Sequence, residues 1–268
     1  MQSCGSVEVS HGKIRVRQQF MKTIRFISLA FVATVISVSL CACGDDDDSP
    51  LIPVDPNAKH ITRIYYQENN GKFKEIIYSY DSQGRVAQMV EKSNLRDTWT
   101  HFDTYDYTYG DNTITVYYKG KYYFDSKYTY TLTNGRITSL RKETQNNQPS
   151  VESYSYDEQG YLKTRNLERY YETYTWEGSF LKSANYPDYC LMYEYSNYKV
   201  PVNYIPVNLF DEKMAVLAMQ GFFGKMPSHL ISSITNYKSN GVSSTTPYNY
   251  EMQDGRPVKY GSTVIDWE

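Results

Sequence analysis

The chain has 268 residues, a formal net charge of −2 and a mean hydropathy of −0.62, enough length for one large β domain or two small ones. Its 15 glycines and 10 prolines exclude collagen-like and low-complexity character. The 29 tyrosines, accompanied by many threonines and serines, are typical of strands rather than helices. Residues 59–268 carry 23 basic and 24 acidic side chains. This balance disfavours nucleic acid as a partner.

The first predicted element is a secretory signal over residues 21–42. Phe26 to Leu40 is an apolar run of 15 residues behind two basic side chains; as a helix it would reach about 22 Å, short of a hydrocarbon core of about 30 Å. That order is typical of a signal peptide. Extended to Gly44, the run would reach about 28 Å, so length alone leaves an uncleaved membrane helix open. Because the signal most naturally starts at Met21, residues 1–20 are interpreted as an upstream mis-start or a disordered extension.

The signal ends in "LCAC", Leu40 to Cys43. This segment resembles a bacterial lipobox, and the resemblance implies that Cys43 is acylated, by palmitate among other chains, and becomes the mature N-terminus. Cleavage there removes Cys4 and Cys41 and leaves Cys190 alone in the body of the chain. We therefore expect neither an intramolecular disulfide nor a cysteine zinc site. Cys190, which lies among apolar neighbours, is expected to be a small buried hydrophobic residue.

Residues 43–58 are predicted to be an acidic, proline-containing tether. Four consecutive aspartates, Asp45 to Asp48, repel one another and lack the alternate spacing, glycine and closing glutamate of an EF-hand calcium loop. Acidic residues just after the lipidated cysteine resemble the surface-export signal of Bacteroidetes lipoproteins. The resemblance implies an outer-membrane protein, anchored by lipid and exposed at the cell surface; a periplasm-facing domain is the alternative.

Residues 59–268 repeat one phrase: aromatic, any residue, aromatic, a short polar turn, and then an apolar residue. The turns contain Gly, Asn or Asp, which accept the positive φ of tight turns, so each phrase predicts a β-hairpin. Alternation within the strands predicts an antiparallel sheet with one buried, tyrosine-rich face. The phrases begin at Tyr78, Tyr107, Tyr128, Tyr154, Tyr174, Tyr193 and Tyr250, and the second aromatics of the first six fall at positions 80, 109, 130, 156, 176 and 195.

The predicted fold class is all-β: a long antiparallel meander of roughly fourteen strands, curled into an open or partly closed barrel. One segment breaks the alternation and predicts a short helix near residues 209–220, capped by Asn208 or Asp211 and ended by Gly221. The "GFFGK" sequence beginning at Gly221 lacks the spacing of a phosphate loop. A transmembrane barrel would need an apolar outer band, and strands such as Tyr161 to Arg169 carry charges that spoil it. A soluble domain is therefore favoured.

The phrases "YDSQGRVAQM" and "YDEQGYLKTR" are similar to tyrosine–aspartate (YD/Rhs-type) repeats, which build β-sheet shells. Together with the lipobox, the tether and the late "FFGKMPSHLISSIT" segment, the whole chain resembles a Bacteroidetes outer-membrane lipoprotein domain of unknown function with a porin-like fold. The resemblance covers about residues 59–268. It implies a fold and no established activity, so it supplies no catalytic residue and no cofactor.

Motifs for catalysis or metal binding are not found in the sequence. His60, His101 and His229 have no ligand spacing, and the adjacent acids Asp157–Glu158 and Asp211–Glu212 are expected in a turn and at a helix start. We therefore predict no catalytic residue, no metal, no cofactor and no enzymatic activity.

The favoured function is a surface-anchored, non-catalytic binding or scaffold module for a glycan or protein ligand. The alternatives are a glycan-processing enzyme with two carboxylates that converge in space, or a purely structural envelope component. Most of the tyrosines are expected to pair across strands in the core, since they occupy the face that must be buried. The ligand-binding residues stay unassigned.

Overall fold

The protein is described by a computed structural model that covers residues 59–95, 100–120, 124–145, 147–204 and 210–268. The predictions for residues 1–20, 21–42 and 43–58, including lipidation of Cys43, lie outside the described residues. The elements in chain order are β1 (Ile61–Gln67), β2 (Phe73–Tyr80), β3 (Val86–Ser93), β4 (His101–Tyr109), β5 (Thr113–Gly120), β6 (Ser126–Thr133), β7 (Arg136–Thr144), β8 (Ser150–Tyr156), β9 (Leu162–Leu167), β10 (Tyr170–Glu177), β11 (Phe180–Asn185), β12 (Tyr189–Lys199), α1 (Glu212–Met219), β13 (His229–Lys238), β14 (Ser243–Pro247), β15 (Tyr250–Gln253), β16 (Arg256–Tyr260) and β17 (Thr263–Trp267).

The strands form one antiparallel sheet of seventeen strands. Successive strands pair from β1 to β14 and from β15 to β17, and β17 then pairs with β1. The predicted all-β meander with one short helix is confirmed, and the sheet does not close into a barrel. The additional strands, compared with the roughly fourteen expected, include the short β14 to β17, which have weak alternation.

The two edges of the sheet are β14 and β15, which are separated by only Tyr248 and Asn249. An antiparallel ladder with an odd number of strands gives its two edges the same direction. Consistent with this geometry, β14 pairs with β13 and β15 pairs with β16, and within residues 210–268 no ladder of residue pairs joins β14 to β15. The sheet is therefore open along β14.

The connections lie at two ends of the curled sheet. We call the end with the tight turns at 81–85, 110–112, 134–135, 157–161 and 178–179 the turn end. The opposite end, with the connections at 68–72, 168–169 and 186–188, is the loop end. The turn end carries the glycines of the repeat phrase, such as Gly84 and Gly160, with φ of 74° and 87°. The positive φ expected from the phrase is confirmed at these positions.

In five phrases the second aromatic makes a long-range hydrogen bond that closes a hairpin, and Trp267 of β17 makes the same bond. The polar atom of the ring donates to the carbonyl of an apolar residue that is the first or second residue of the preceding strand. These bonds are Tyr80 Oη to Ile61 O (2.6 Å), Tyr109 Oη to Val86 O (2.8 Å), Tyr156 Oη to Ile137 O (2.7 Å), Trp176 Nε1 to Leu162 O (2.8 Å), Tyr195 Oη to Leu181 O (2.8 Å) and Trp267 Nε1 to Pro257 O (2.9 Å). The aromatic therefore fixes the register of its strand with a buried polar contact.

Strand β6 departs from the sequence-based alignment of the phrases. Leu132 pairs with Ile137 immediately before the turn, as Tyr109 pairs with Ile114 in the neighbouring hairpin. Leu132, and not Tyr130, therefore occupies the second-aromatic position. Tyr130 takes the first position, two residues deeper in the sheet. The first-position residues, which we call the inner tyrosine ring, are Tyr78, Tyr107, Tyr130, Tyr154, Tyr174 and Tyr193, all buried.

Helix α1 packs against the inner face of the sheet, with its start beside Lys74 towards the loop end and its end beside Tyr109 at the turn end. Asp211 caps it by accepting a hydrogen bond from Met214 N, and Gly221, with φ of 80°, ends it in a Schellman motif in which Phe222 N donates to Leu217 O. The helix predicted near 209–220, its Asp211 cap and its Gly221 stop are thus confirmed, with the helix itself spanning Glu212–Met219.

The segment after the helix ties it to the sheet. Ile137 N donates to Phe222 O at 2.8 Å, and Lys225 N donates to Gly160 O at 3.0 Å. Gly224 has a φ of 77°, and a Cβ there would overlap the Gly160 carbonyl oxygen. The "GFFGK" segment is therefore a helix stop and a sheet contact, which is its structural role in the fold.

The outer face of β4 to β11 is mainly polar, although Phe102, Tyr117, Val151 and Tyr171 are exposed on it. Register places hydroxyl side chains opposite one another, with Ser155 Oγ and Thr164 Oγ1 at 2.6 Å. The outward rows include Thr108, Thr115 and Thr129, and Thr113, Thr131, Ser139 and Ser153. In the described part of the chain, no helix is long and apolar enough to cross a membrane.

Candidate ligand-binding site inside the loop end

An ionic triad lies on the inner face near the loop end. Arg165 of β9 contacts Glu152 of β8 through Nε and Nη2, both at 2.9 Å, and its Nη1 lies 3.4 Å from Oε2 of Glu172 in β10. We call Glu152, Arg165 and Glu172 the Glu–Arg–Glu cluster. Arg165 sits directly between its partners because it pairs with Tyr154 on one side and with Glu172 on the other. The cluster carries a formal charge of −1.

Two members of the inner tyrosine ring complete the cluster. Tyr154 Oη donates to Glu152 Oε2 at 2.7 Å, and Tyr174 Oη donates to Glu172 Oε2 at 2.7 Å. Each pair is two residues apart on a strand, so both side chains share a face. Hydrogen bonds of this kind, with an ionised acceptor, are about twice as strong as neutral ones.

Burial and the neighbouring charges of the cluster shift the pKa of Arg165 in opposite directions. Burial lowers the pKa of Arg165, but the neighbouring Tyr154, Glu152 and Glu172 outweigh it and raise that pKa overall. Arg165 therefore stays charged. The Tyr154 hydroxyl stays protonated for the complementary reason, since burial and then Glu152 raise its pKa.

Three further tyrosines flank the cluster. Tyr170 lies two residues before Glu172 on the same face, and Tyr186 and Tyr189 face each other across the β11–β12 hairpin, with ring centroids 4.4 Å apart and an interplanar angle of 14°. We call these three residues the tyrosine wall. Unlike the inner ring they are half-buried. Burial and then Glu172 raise the pKa of both Tyr170 and Tyr189, which indicates that the wall lies near the carboxylate.

Water reaches this part of the inner face from the open edge. Ser244 and Thr246 of β14 pair with Asn236 and Ile234, and Ile234 pairs with Tyr193, which places all of them on the inner face. Ser244 and Thr246 are nevertheless exposed. The interior beside β12 and β13 is therefore accessible along β14.

Two hydroxyls of the inner tyrosine ring lack partners. Tyr130 Oη and Tyr193 Oη have no hydrogen-bond partner within the described residues, although the side chains are 0% and 4% exposed. After burial itself, Asp211 contributes most to the raised pKa of Tyr130 and Glu152 contributes less, whereas Tyr186 contributes most to the raised pKa of Tyr193. Tyr130 therefore lies near the helix cap, and Tyr193 lies near the tyrosine wall. A buried hydroxyl without a partner is costly. The polar interior therefore has unused hydrogen-bonding capacity on both sides of the cluster.

A second group of ion pairs lies inside the sheet at the start of α1. Lys74 forms ion pairs with Glu212 and with Glu91, the latter at 3.2 Å. Lys213 pairs with Asp211 and lies 4.8 Å from the ring centroid of Tyr128. These charges anchor the helix to the sheet.

A groove of about 440 Å³ lies at the turn end beside β15 to β17. It is lined by cations, including Lys59 and Lys259, and by acids, including Glu251 and Asp266. Lys259 pairs with Glu251, and Asp266 pairs with Arg63 outside the groove. Two acids of this groove, Glu251 and Asp266, are thus paired with cations of the protein.

The acids, the cysteine and two of the histidines singled out in the sequence analysis support the fold and do not form a site. Asp157 Oδ1 accepts a hydrogen bond from Tyr161 N in a turn, and Asp211 caps the helix. Cys190 is buried, at 8% exposure. His60 and His229 lie near Asn203 and Ser228 respectively. Among the described residues, no three His, Cys, Asp or Glu side chains converge as a metal site.

The Glu–Arg–Glu cluster was missed in the sequence. Its two acids are separated by Arg165 and by two turns, and only strand pairing brings them together. A signal did exist. Glu152 and Glu172 each lie two residues before the first aromatic of a phrase, and alternation places such residues on the buried face. A charge at that position is unusual and indicates a polar interior.

The fold is similar to two solved porin-like proteins. One, from Bacteroides uniformis, has a TM-score of 0.57 and 13% identity, with 82% of this chain and 98% of that chain covered. The other, from Bacteroides vulgatus, has a TM-score of 0.51 and 12% identity, with 78% and 99% covered. No family model and no curated protein matches the chain. The chain thus has a porin-like fold, and identities this low establish the fold alone.

Proposed function

We propose that this protein is a lipid-anchored, non-catalytic binding module at the surface of the bacterial outer membrane. The observation that supports binding is the half-open loop end, where the Glu–Arg–Glu cluster and the tyrosine wall lie on an inner face that water reaches along β14. Tyrosines that present both a ring and a hydroxyl are common in binding sites.

The anchor in this proposal is Cys43. Its support is the lipobox-like "LCAC" sequence, and the acidic tether of residues 43–58 supports export to the cell surface. The mainly polar outer face of β4 to β11 suits a domain that is surrounded by water and held at the membrane by acyl chains. The porin-like proteins of Bacteroides agree with a bacterial envelope protein.

Binding is favoured over catalysis because of the way the two acids are held. A glycosidase needs one carboxyl group to donate a proton and a second to act as nucleophile or base. Here one guanidinium bridges both carboxylates, and each also accepts a tyrosine hydroxyl. Such contacts hold both carboxylates in place and occupy them with partners inside the protein. A structural envelope role is the second candidate, because α1 and the inner tyrosine ring fill the turn end.

The binding proposal is tested with the full chain, purified in detergent, on a glycan array and against candidate surface proteins from the same envelope. We expect saturable binding without turnover of the ligand. Hydrolysis of a bound glycan would support the enzyme instead. The absence of any ligand, together with envelope defects in a deletion strain, would support the structural role.

The anchor is tested by labelling cells with a palmitate analogue. We expect the Cys43→Ala variant to lose the label and to leave the membrane fraction, whereas Cys190→Ala keeps both. Surface exposure is measured by protease accessibility in intact cells. Labelling that survives Cys43→Ala would refute the proposed anchor.

A further inference from the structure

We propose that the Glu–Arg–Glu cluster and the tyrosine wall together bind an uncharged glycan, with a sugar face against the tyrosine rings and its hydroxyls bonded to the cluster. The inference rests on the binding function proposed above and gives it a ligand class. The argument depends on four properties of the site: its rings, its hydrogen-bonding groups, its charge and its access to water.

The rings match the apolar face of a sugar. Tyr186 and Tyr189 are stacked at 4.4 Å and present a flat, half-buried surface beside Tyr170. Sugar rings carry C–H groups on their faces and hydroxyls at their edges, and a tyrosine offers the complementary combination of an apolar ring and a polar tip. A flat ligand with polar edges therefore suits this surface.

The hydrogen-bonding groups match the edges of a sugar. The carboxylates of Glu152 and Glu172 have two oxygens each and accept through Oε2 from the groups described above. The Tyr193 hydroxyl, 4% exposed, has no partner in the described chain. A sugar hydroxyl both donates and accepts, so it satisfies a carboxylate and a tyrosine alike.

The charge of the site excludes two other classes of ligand. Arg165 already occupies the position between the two carboxylates that a ligand cation would take, at 2.9 Å from one and 3.4 Å from the other. This disfavours choline-like amines, which otherwise suit aromatic cages. Lys142 lies near Glu152 and offsets its charge. At the tyrosine wall, however, Glu172 acts more strongly on Tyr170 and Tyr189 than Arg165 does, so a uronate or a phosphate bound there is repelled by a carboxylate. Because cationic and anionic ligands are both disfavoured, the site favours an uncharged ligand.

Access to the site comes from the open edge of the sheet. The inward-facing Ser244 and Thr246 on β14 are exposed, and the hairpin of Tyr186 and Tyr189 lies at the loop end on the same side of the molecule. A chain of sugar units can therefore reach the tyrosine wall along the hydroxyl-lined edge at β14. It does not need to pass through the turn end, which the helix fills.

The test measures binding of the full chain to neutral, uronate-containing and amino-sugar oligosaccharides of equal length, with choline as a further probe. We expect neutral chains to bind about tenfold more tightly than uronates, the effect of roughly one repelled unit charge in a partly exposed site. Tyr170→Ala is expected to weaken binding by about tenfold, as the loss of an aromatic contact does. Tyr171→Ala is the matched control, because Tyr171 is the next residue, is 54% exposed and faces outward.

Glu152→Gln separates recognition from a merely structural role. The substitution is nearly isosteric and changes the formal charge of the cluster from −1 to zero, so the preference for neutral over uronate chains is expected to narrow. A structural defect would weaken both classes equally. Thermal unfolding of each variant shows whether the fold is retained.

Other outcomes overturn the inference in distinguishable ways. Tighter binding of uronates, amino sugars or choline than of neutral glycans, or equal effects of Tyr170→Ala and Tyr171→Ala, would refute the ligand class while leaving a binding module in place. Binding of a protein ligand without any glycan would do the same. Failure to bind any ligand would refute both the inference and the proposed function.

Discussion

The hydroxyl of Tyr156 donates a 2.7 Å hydrogen bond to the backbone carbonyl of Ile137, nineteen residues earlier in the chain. Ile137 N in turn donates to Phe222 O in the segment behind the helix. One residue of β7 thus connects the repeat phrase to the helix that fills the turn end. The same donor position recurs in five other strands, which explains why the phrase ends in an aromatic with a polar atom.

Tyr156→Phe is expected to lower the free energy of unfolding by about 1–2 kcal/mol, because the ring stays in place while the Ile137 carbonyl loses its side-chain donor. Urea denaturation measures the change. Tyr117→Phe is the control, since Tyr117 is 41% exposed on the outer face, and we expect it to have almost no effect. Equal stability of the two variants would show that the bond does not stabilise the hairpin.

The sequence predicts the hairpins well because each phrase contains its own turn residues and its own alternation. It misplaces β6, since Tyr128 and Tyr130 form an aromatic pair that is two residues earlier than the structural position. Only the pairing of Leu132 with Ile137 corrects the register. The helix is predicted because Asp211 and Gly221 are local signals. The elements that can be predicted from the sequence are therefore those whose turn residues, alternation or helix caps lie within the element itself.

The candidate site is harder to predict, because its parts come from different strands. Glu152 and Glu172 are separated by two turns and meet only through Arg165. The accessibility of the site depends on β14, whose free edge follows from the number of strands in the sheet. The buried position of each acid has a local sequence signal, but their meeting through Arg165 and the free edge at β14 have none.

Gly120→Ala is expected to destabilise the fold by about 1–3 kcal/mol, the usual cost of excess volume in a packed interior. A Cβ at this position would overlap Tyr118 Oη and Asp103 Oδ1, which are hydrogen-bonded to each other at 3.1 Å. Tyr118 is fully buried, so the ring has little room to move. The change is measured by chemical denaturation.

A double-mutant cycle shows whether this overlap is the cause. Tyr118→Phe removes the hydroxyl that the new methyl group would meet, so Gly120→Ala is expected to cost less in the Tyr118→Phe background than in the wild type. Additive effects of Gly120→Ala and Tyr118→Phe would contradict the steric explanation.

Arg165→Met is expected to lower the free energy of unfolding by about 3–5 kcal/mol, since it leaves Glu152 and Glu172 without their common cation in a buried site. Lys182→Met is the matched comparison. Lys182 pairs with Glu177 at 2.8 Å, but the two side chains are 46% and 74% exposed. Surface pairs of this kind contribute about 0–1 kcal/mol. Similar losses in the two variants would show that water screens the cluster.

Acid is expected to weaken the attachment of the helix to the sheet. Burial raises the pKa of Glu212, but Lys74 outweighs it and lowers that pKa from 4.5 to about 2. A carboxylate with a lowered pKa in the folded state stabilises the protein fully above its ordinary pKa, and the contribution is lost as the pH falls. We therefore expect the stabilisation by Glu212 to disappear between about pH 4.5 and pH 2.

The measurement compares the wild type with Glu212→Gln by urea denaturation across that pH range. Because the Glu212 side chain is 36% exposed, solvent screening limits the expected difference to about 1 kcal/mol at pH 6. The difference should shrink towards zero at pH 2, since protonated Glu212 then resembles glutamine. Glu177→Gln is the control, because Glu177 and its partner Lys182 are 74% and 46% exposed, and water screens such a pair so that its loss is expected to change stability little at any pH. A gap between wild type and Glu212→Gln that stays constant with pH would mean that packing, and not the ion pair with Lys74, makes Glu212 stabilising.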